Sequence, residues 1–334
     1  MIADYHARAI AETQGGHLVA VAGRSTEKAR RFAGQHGARF ATDDVAALIS
    51  HPEVQVVCIT TPNGAHLEPA LAAAGASRHL VLEKPIEVTL ERVDQVIRAV
   101  ETAGIKCAPI FQSRFGERAR ILKTAIDAGR FGRLAMCSAY VKWQRTTAYY
   151  QNSWHGVAAL DGGGVCMNQA IHAIDLLQWF AGMPTEVFAW AGRCVHTGIE
   201  GEDTAVATLR FGNGALGTIE ASTAVYPGWS QCLEICGEHG SARLEDDRLV
   251  RWEFRDTQPG DAAILAGRSE GDLGSGAGAP NAINHEGHRR QIQDLIDAIQ
   301  GNRPLAIDVR EARKAVAIIR AIYDSAASNL PVKL

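Results

Sequence analysis

Through its first third the chain alternates short apolar runs with segments of helix formers, and this alternation restricts the fold more than any other feature. Residues 17–25 (HLVAVAGRS), 54–62 (VQVVCITTP), 79–85 (HLVLEKP) and 105–115 (IKCAPIFQSRF) read as strands. Each is apolar almost throughout, as parallel strands covered on both faces are. Between them, 26–36, 43–50, 65–75 and 89–104 read as helices, two of which stop at Gly. The pattern predicts βαβ units and an α/β, Rossmann-type doubly wound parallel sheet over residues 1–115.

Beyond about residue 130 the pattern changes to a separate architecture. One long helix, 164–182, precedes longer strands at 186–196, 204–211, 215–225, 231–237 and 248–255. Phe211-Gly-Asn-Gly-Ala joins two of them as a hairpin, since Asn and Gly tolerate the positive φ of such turns. Residues 116–334 therefore read as an α+β domain with a large, mostly antiparallel sheet. Residues 256–281 are rich in Gly, Ala, Asp and Ser and read as a loop, and helices at 284–300 and 309–328 close the chain. Two domains suit 334 residues, too many for one ordinary core.

Charge and cysteine usage narrow the function classes. The chain is 46% hydrophobic and 21% charged with a formal net charge of −3, which gives no footprint for nucleic acid or an anionic membrane. No apolar run approaches the ~20 residues of a spanning helix, and the start lacks a secretion signal. Seven cysteines are scattered. Cys232 and Cys236 form a C-x3-C without a second Cys/His pair at zinc spacing, so no metal is expected. The reading is a reduced, cytoplasmic protein.

A dinucleotide-binding domain of this type opens with a strand and G-x-G-x-x-G/A, whose glycines admit the pyrophosphate. Here the sequence opens on Met1-Ile2-Ala3-Asp4-Tyr5-His6, which reads as the helix after that loop, with Ala3 at its sixth position. A central strand contributes about 10 kcal/mol of burial, against a domain stability of about 5–15 kcal/mol. The expectation is that an in-frame segment upstream of Met1 encodes an apolar strand ending in G-x-G.

Two motifs carry chemistry. Glu83-Lys84-Pro85 ends the third predicted strand, and ligands of open α/β sheets lie beyond strand carboxyl ends. Gly162-Gly163-Gly164 opens the long helix, with Asn168 and His172 spaced i, i+4 on one face within an apolar surround. A neutral imidazole can move a proton near pH 7, and an ammonium can stabilise developing negative charge. A Lys and a His from different domains imply a site at the domain cleft.

These residues resemble the Gfo/Idh/MocA oxidoreductases over essentially the whole chain. The matching pieces are I-A-D-Y-H-A-R-A-I at 2–10, T-P-N-G-A-H at 61–66, E-K-P at 83–85 and I-F-Q-S-R-F at 110–115. Y-Y…W-H-G at 149–156, D-G-G-G-V-C-M-N-Q-A-I-H-A-I-D-L-L at 161–177 and R-P-L-A-I-D-V-R-E-A-R-K-A at 303–315 complete the set. The resemblance implies that Lys84 contacts the nicotinamide ribose and the reacting hydroxyl, that His172 is the acid/base, and that Asn168 orients substrate or imidazole. It puts Ala3, Thr61, Pro62, Asn63, His66, Glu83 and Pro85 on the cofactor, although for His66 a helix-start role is at least as strong. It puts Gln112, Arg114, Tyr150, Trp154, His155 and Asn168 at the substrate. Many members have Asp at Asn168, and Arg is frequent at His155.

The second strand ends Ala22-Gly23-Arg24-Ser25, with no carboxylate for a ribose 2′-hydroxyl, which favours NADP over NAD with Arg24 and Ser25 as contacts. Three functions stay open: a sugar or cyclitol dehydrogenase/reductase, a redox-assisted glycoside-cleaving enzyme that retains its nicotinamide, and a non-catalytic sugar or nucleotide sensor. Retention of Lys84 and His172 favours an enzyme. Val, Ala, Ile and aromatic residues on the second face of the C-terminal sheet predict a homodimer or homotetramer.

Overall fold

The computed structural model describes residues 2–151, 153–267, 277 and 284–334. The chain divides into two compact units, Met1–Ile110 with His285–Arg313, and Phe111–Asn284 with Lys314–Leu334. A single cut at 115/116 therefore misses a return of the chain to the first unit. Amphipathic patterning shows that a late helix has a buried face, but not which unit buries it.

The first unit contains α1 (Ile2–Ala11), β1 (Ala20–Ala22), α2 (Thr26–His36), β2 (Phe40–Thr42), α3 (Val45–Ser50), β3 (Val56–Ile59), α4 (Leu67–Gly75), β4 (His79–Leu82), α5 (Leu90–Ala103) and β5 (Cys107–Pro109). The strand pairs are parallel, as the apolar runs predict. They form two sheets rather than one continuous sheet: β1 with β2, and β3-β4-β5. Leu80, Val81 and Leu82 of the middle strand are buried. Strand β2, only three residues long, is too short to show a period and escapes sequence reading. Ser25 and Thr89 cap α2 and α5 with their hydroxyl oxygens, which accept the N–H of Lys28 and Arg92. Gly104 ends α5 at φ 62°, where a side chain would be strained.

The second unit contains α6 (Glu117–Asp127), β6 (Leu134–Lys142), α7 (Thr147–Tyr150), α8 (Ala158–Asp161), α9 (Val165–Asn168), α10 (Ile171–Ala181), β7 (Pro184–Gly192), β8 (Thr204–Phe211), β9 (Leu216–Ser222), β10 (Cys232–Gly237), β11 (Gly240–Glu245), β12 (Arg248–Phe254) and α11 (Asp261–Ala266). Helix α12 (Glu286–Gln300) belongs to the first unit, where Ile292 and Leu295 pack with Ala9, Val81 and Ile110. Helix α13 (Val309–Ser328) and β13 (Val332–Lys333) end the chain.

Eight strands in the order β12-β11-β10-β6-β9-β8-β7-β13 form the large sheet. Every neighbouring pair is antiparallel except β6 with β9. Helix α10 lies against β6 and β10, and Ile171, Ile174 and Leu177 are buried, each contributing about 1.5–3 kcal/mol. Two expectations change. The helix predicted over 164–182 is broken at Gln169–Ala170 into α9 and α10. The loop predicted over 256–281 contains α11, while 268–276 and 278–283 lie outside the described residues.

Candidate active site

In the first unit, the candidate cofactor residues follow the carboxyl ends of parallel strands. Arg24 and Ser25 follow β1, Thr61-Pro62-Asn63 follow β3, and Glu83-Lys84-Pro85 follow β4. This is where an open α/β sheet takes a dinucleotide, and donors and hydroxyls rather than carboxylates end β1 and β3. The residues present thus fit a nicotinamide dinucleotide. The His66 ring is fully buried, with Nδ1 2.8 Å from the Pro85 carbonyl oxygen and Nε2 3.0 Å from that of Thr61. His66 therefore ties the Thr61 loop to the Lys84 turn, the structural role its position before α4 suggests. Glu87, which sequence reading passes over, accepts the N–H of His66, Leu67 and Val88 and pairs with Arg92. It satisfies orphan donors at the start of α4. Glu83, expected on the cofactor, instead buries its carboxylate against His6 and His288.

In the second unit, the glycine turn leaves no room for side chains. A Cβ on Gly163 would stand 2.1 Å from the Tyr323 hydroxyl, and one on Gly164 would stand 1.8 Å from the Glu202 carbonyl oxygen. Glu202 organises the start of α9. Its carbonyl accepts the N–H of Val165 at 2.9 Å, and its Oε1 accepts the N–H of Cys166 and the Tyr323 hydroxyl, each at 2.9 Å. The Gly164 N–H donates to the Tyr323 hydroxyl oxygen at 3.3 Å. Burial pushes the Glu202 carboxyl and the Tyr323 phenol up, partly opposed at Glu202 by these hydrogen bonds. Both residues are remote from the motif in sequence, so no spacing signals them.

Asn168 ends α9, and its amide nitrogen donates to Asp161 Oδ1 at 2.8 Å and lies 3.0 Å from His155 Nδ1. An ionised carboxylate only accepts, which sets the amide orientation. The other Asp161 oxygen accepts the Gly156 N–H at 2.7 Å. The His155 ring stacks on Tyr149, with centroids 4.5 Å apart and planes at 11°, and Trp154 packs on it at 4.0 Å. Gln169 donates to the Tyr149 hydroxyl, and Tyr150 bonds Thr223. Within this unit the structure thus brings Trp154, His155 and Asn168 together, with Asp161 as the anchor that sequence reading quotes without a role. His172 lies in the first turn of α10, edge-on to Phe111 at 5.9 Å. Asn168 closes α9 and His172 lies in α10, with Gln169 and Ala170, both in the right-handed helical region, between them.

Gln112 and Arg114 lie buried in a short 3₁₀ turn, Gln112–Phe115. Arg114, expected at the substrate, places both arms of its guanidinium on Asp175 at 2.7 and 2.6 Å. That bidentate pair braces the turn against α10. Among the described residues, His6, Glu83 and His288 are the one group with metal-ligand spacing. No helix among them is long and apolar enough to cross a membrane.

A parallel α/β unit with a lysine turn at its strand ends, joined in sequence to a large mixed sheet with a glycine-turn helix, defines a nicotinamide-dependent oxidoreductase. Residues 1–111 match the oxidoreductase family with an NAD-binding Rossmann fold, and residues 119–243 match the GFO/IDH/MocA C-terminal domain. The chain belongs to the Gfo/Idh/MocA oxidoreductase family. It is similar to the WlbA dehydrogenase from Bordetella pertussis, solved with NADH and UDP-GlcNAcA, at 30% identity and TM-score 0.89 over 100% of this chain and 95% of that one. It is 28% identical to myo-inositol 2-dehydrogenase of Thermotoga maritima, over 77% of this chain and 76% of the relative. Inositol 2-dehydrogenase of Rhizobium meliloti is 27% identical over 76% and 75%.

Proposed function

We propose that the protein transfers a hydride between a nicotinamide cofactor and a secondary alcohol or ketone of a sugar-like or cyclitol-like substrate. The observation that carries this reading is the clamp on the glycine turn and α9, where Tyr323 and Glu202 hold the backbone N–H of Gly164 and Cys166 and Asp161 holds the side chain of Asn168, four residues before His172. His172 takes the hydroxyl proton in oxidation, and Lys84 holds positive charge at the alkoxide oxygen. Asn168 orients, and Tyr150, Trp154 and His155 contact the substrate. A bound nicotinamide supplies the two-electron acceptor. The UDP-GlcNAcA bound by one relative and the inositols for which two others are named support a polyhydroxylated ring.

Arg24 is exposed two residues beyond β1, with Lys28 in the following turn and no carboxylate in 22–25. This favours NADP, since the acidic residue that usually holds the 2′-hydroxyl of NAD is missing there. Steady-state assays over sugars and inositols with each cofactor test the proposal. A higher kcat/KM with NADP, on at least one polyol ring, is expected. A preference for NAD would overturn the cofactor assignment alone.

We also propose that the protein self-associates through the outer face of the large sheet. Register places Trp190, Val206, Leu216 and Met136 on one face, and all four are exposed, Trp190 by 59% and Met136 by 56%. A broad apolar face of this kind is rarely left in water. Light scattering at micromolar concentration is expected to give two or four times 35.8 kDa, and the mass of one chain would exclude the association.

A further inference from the structure

A carboxylate set between two imidazoles lies buried in the first unit. Glu83 Oε1 accepts a hydrogen bond from Nε2 of His6, on α1, at 2.6 Å, and Nε2 of His288, on α12, stands 3.4 Å from the same oxygen. Glu83 Oε2 accepts the backbone N–H of Lys84 at 3.1 Å. His6 and His288 are each 2% exposed, and their rings meet edge to face at 5.1 Å. Nδ1 of His6 is 2.9 Å from the sulfur of Cys58 on β3, whereas Nδ1 of His288 has no hydrogen-bond partner among the described residues.

Two histidines and a glutamate within 4.8 Å could be a zinc site. The spacing argues for a proton instead. Tetrahedral ligands about 2.0–2.1 Å from zinc stand about 3.3 Å apart, far wider than the 2.6 Å between His6 and Glu83. That separation is a charge-assisted hydrogen bond. Burial opposes a charge on His6, but Cys58 and Glu83 outweigh it and push its pKa to about 10. Burial also opposes ionisation of Glu83, yet the bonds from His288 and His6 hold its carboxyl well below the usual range. Burial lowers His288, which is left as the neutral member.

We infer that Glu83 is a positioning residue for Lys84, with the His6–Glu83 ion pair fixing the lysine turn to α1 and His288 bracing it from α12. The inference rests on Lys84 acting at the substrate hydroxyl. The two carboxylate oxygens do separate jobs, one on the helices and one on the lysine's own N–H. A shift of the carboxylate therefore reaches the Lys84 backbone directly. A displacement of about 1 Å at a reacting group is enough to cost about 10²-fold.

Single-turnover cofactor reduction by the full chain separates positioning from folding, because its amplitude counts active molecules and its rate constant reports the geometry. In Glu83→Gln the rate constant is expected to fall by about 10–100-fold with the amplitude kept. His6→Gln, which retains a donor, is expected to recover most of what His6→Leu loses. A second readout is pH. A His6 pKa raised from 6.5 to about 10 gives stability that is complete below pH 6.5 and lost as pH rises through about 10. The Tm gap between wild type and His6→Leu should close over that upper range. An unchanged rate constant in Glu83→Gln beside an inactive Lys84→Ala would overturn the positioning role alone. So would a loss confined to amplitude, or stoichiometric zinc in the purified protein. An active Lys84→Ala would overturn the reading of the lysine as well.

Discussion

Replacing His172 or Lys84 by Ala is expected to lower turnover by ~10²–10⁴-fold while the protein stays folded, the loss that follows removal of a positioned proton-transfer group or of the charge opposite a developing alkoxide. His172 lies in the first turn of α10, whose core contacts are made by Ile171, Ile174 and Leu177, so truncating the imidazole leaves that packing in place. Lys84 follows β4, whose Leu80, Val81 and Leu82 carry the burial. Steady-state rates beside thermal melts check the pair of variants. Near-wild-type rates in either would refute its role, and a loss accompanied by unfolding would assign that residue to the fold.

Gly164→Ala is expected to destabilise the second unit by about 3 kcal/mol, because something must shift to make room for the methyl group. A Cβ there would lie 1.8 Å from the Glu202 carbonyl oxygen, and that neighbour is backbone, which cannot swing aside as a side chain can. The same carbonyl accepts the Val165 N–H, so moving it also loosens the start of α9 and with it Asn168. Gly34→Ala is the control: the glycine is exposed within α2, and a Cβ there meets nothing within 4 Å. That change is expected to stabilise by about 0.5–1 kcal/mol. Urea midpoints measure both, and a Gly164→Ala variant as stable as wild type would show that the turn relaxes freely.

The parallel strands are legible in the sequence because strands covered on both faces must be apolar throughout, and β4 shows this over consecutive residues. Strand β8 of the large sheet is legible for the opposite reason, its clean alternation of buried and exposed positions. The break between α9 and α10 is not, since Gln169-Ala170 carries neither Gly nor Pro and both flanks favour helix. Asn168, His172 and Lys84 stand out as polar groups beside Gly-rich or Pro-bearing turns. The groups that order the turns around them do not stand out. Glu202, Tyr323, His6 and His288 take their roles from contacts between residues distant in sequence, and a lone Glu, Tyr or His in an amphipathic segment has no signal of its own. Arg114 shows the converse: a motif residue that points to substrate in sequence spends its fork on Asp175 once the chain is folded.

In the reaction proposed, hydride passes between a ring carbinol carbon and the nicotinamide. The most direct measurement uses a sugar or inositol that the enzyme turns over, labelled with deuterium on that carbon, with oxidised cofactor and mass analysis of both products. One deuterium is expected on the reduced nicotinamide released for each ketone formed. Deuterium retained on the sugar, with a cleaved glycosidic bond and a cofactor that stays bound and unchanged through turnover, would contradict it.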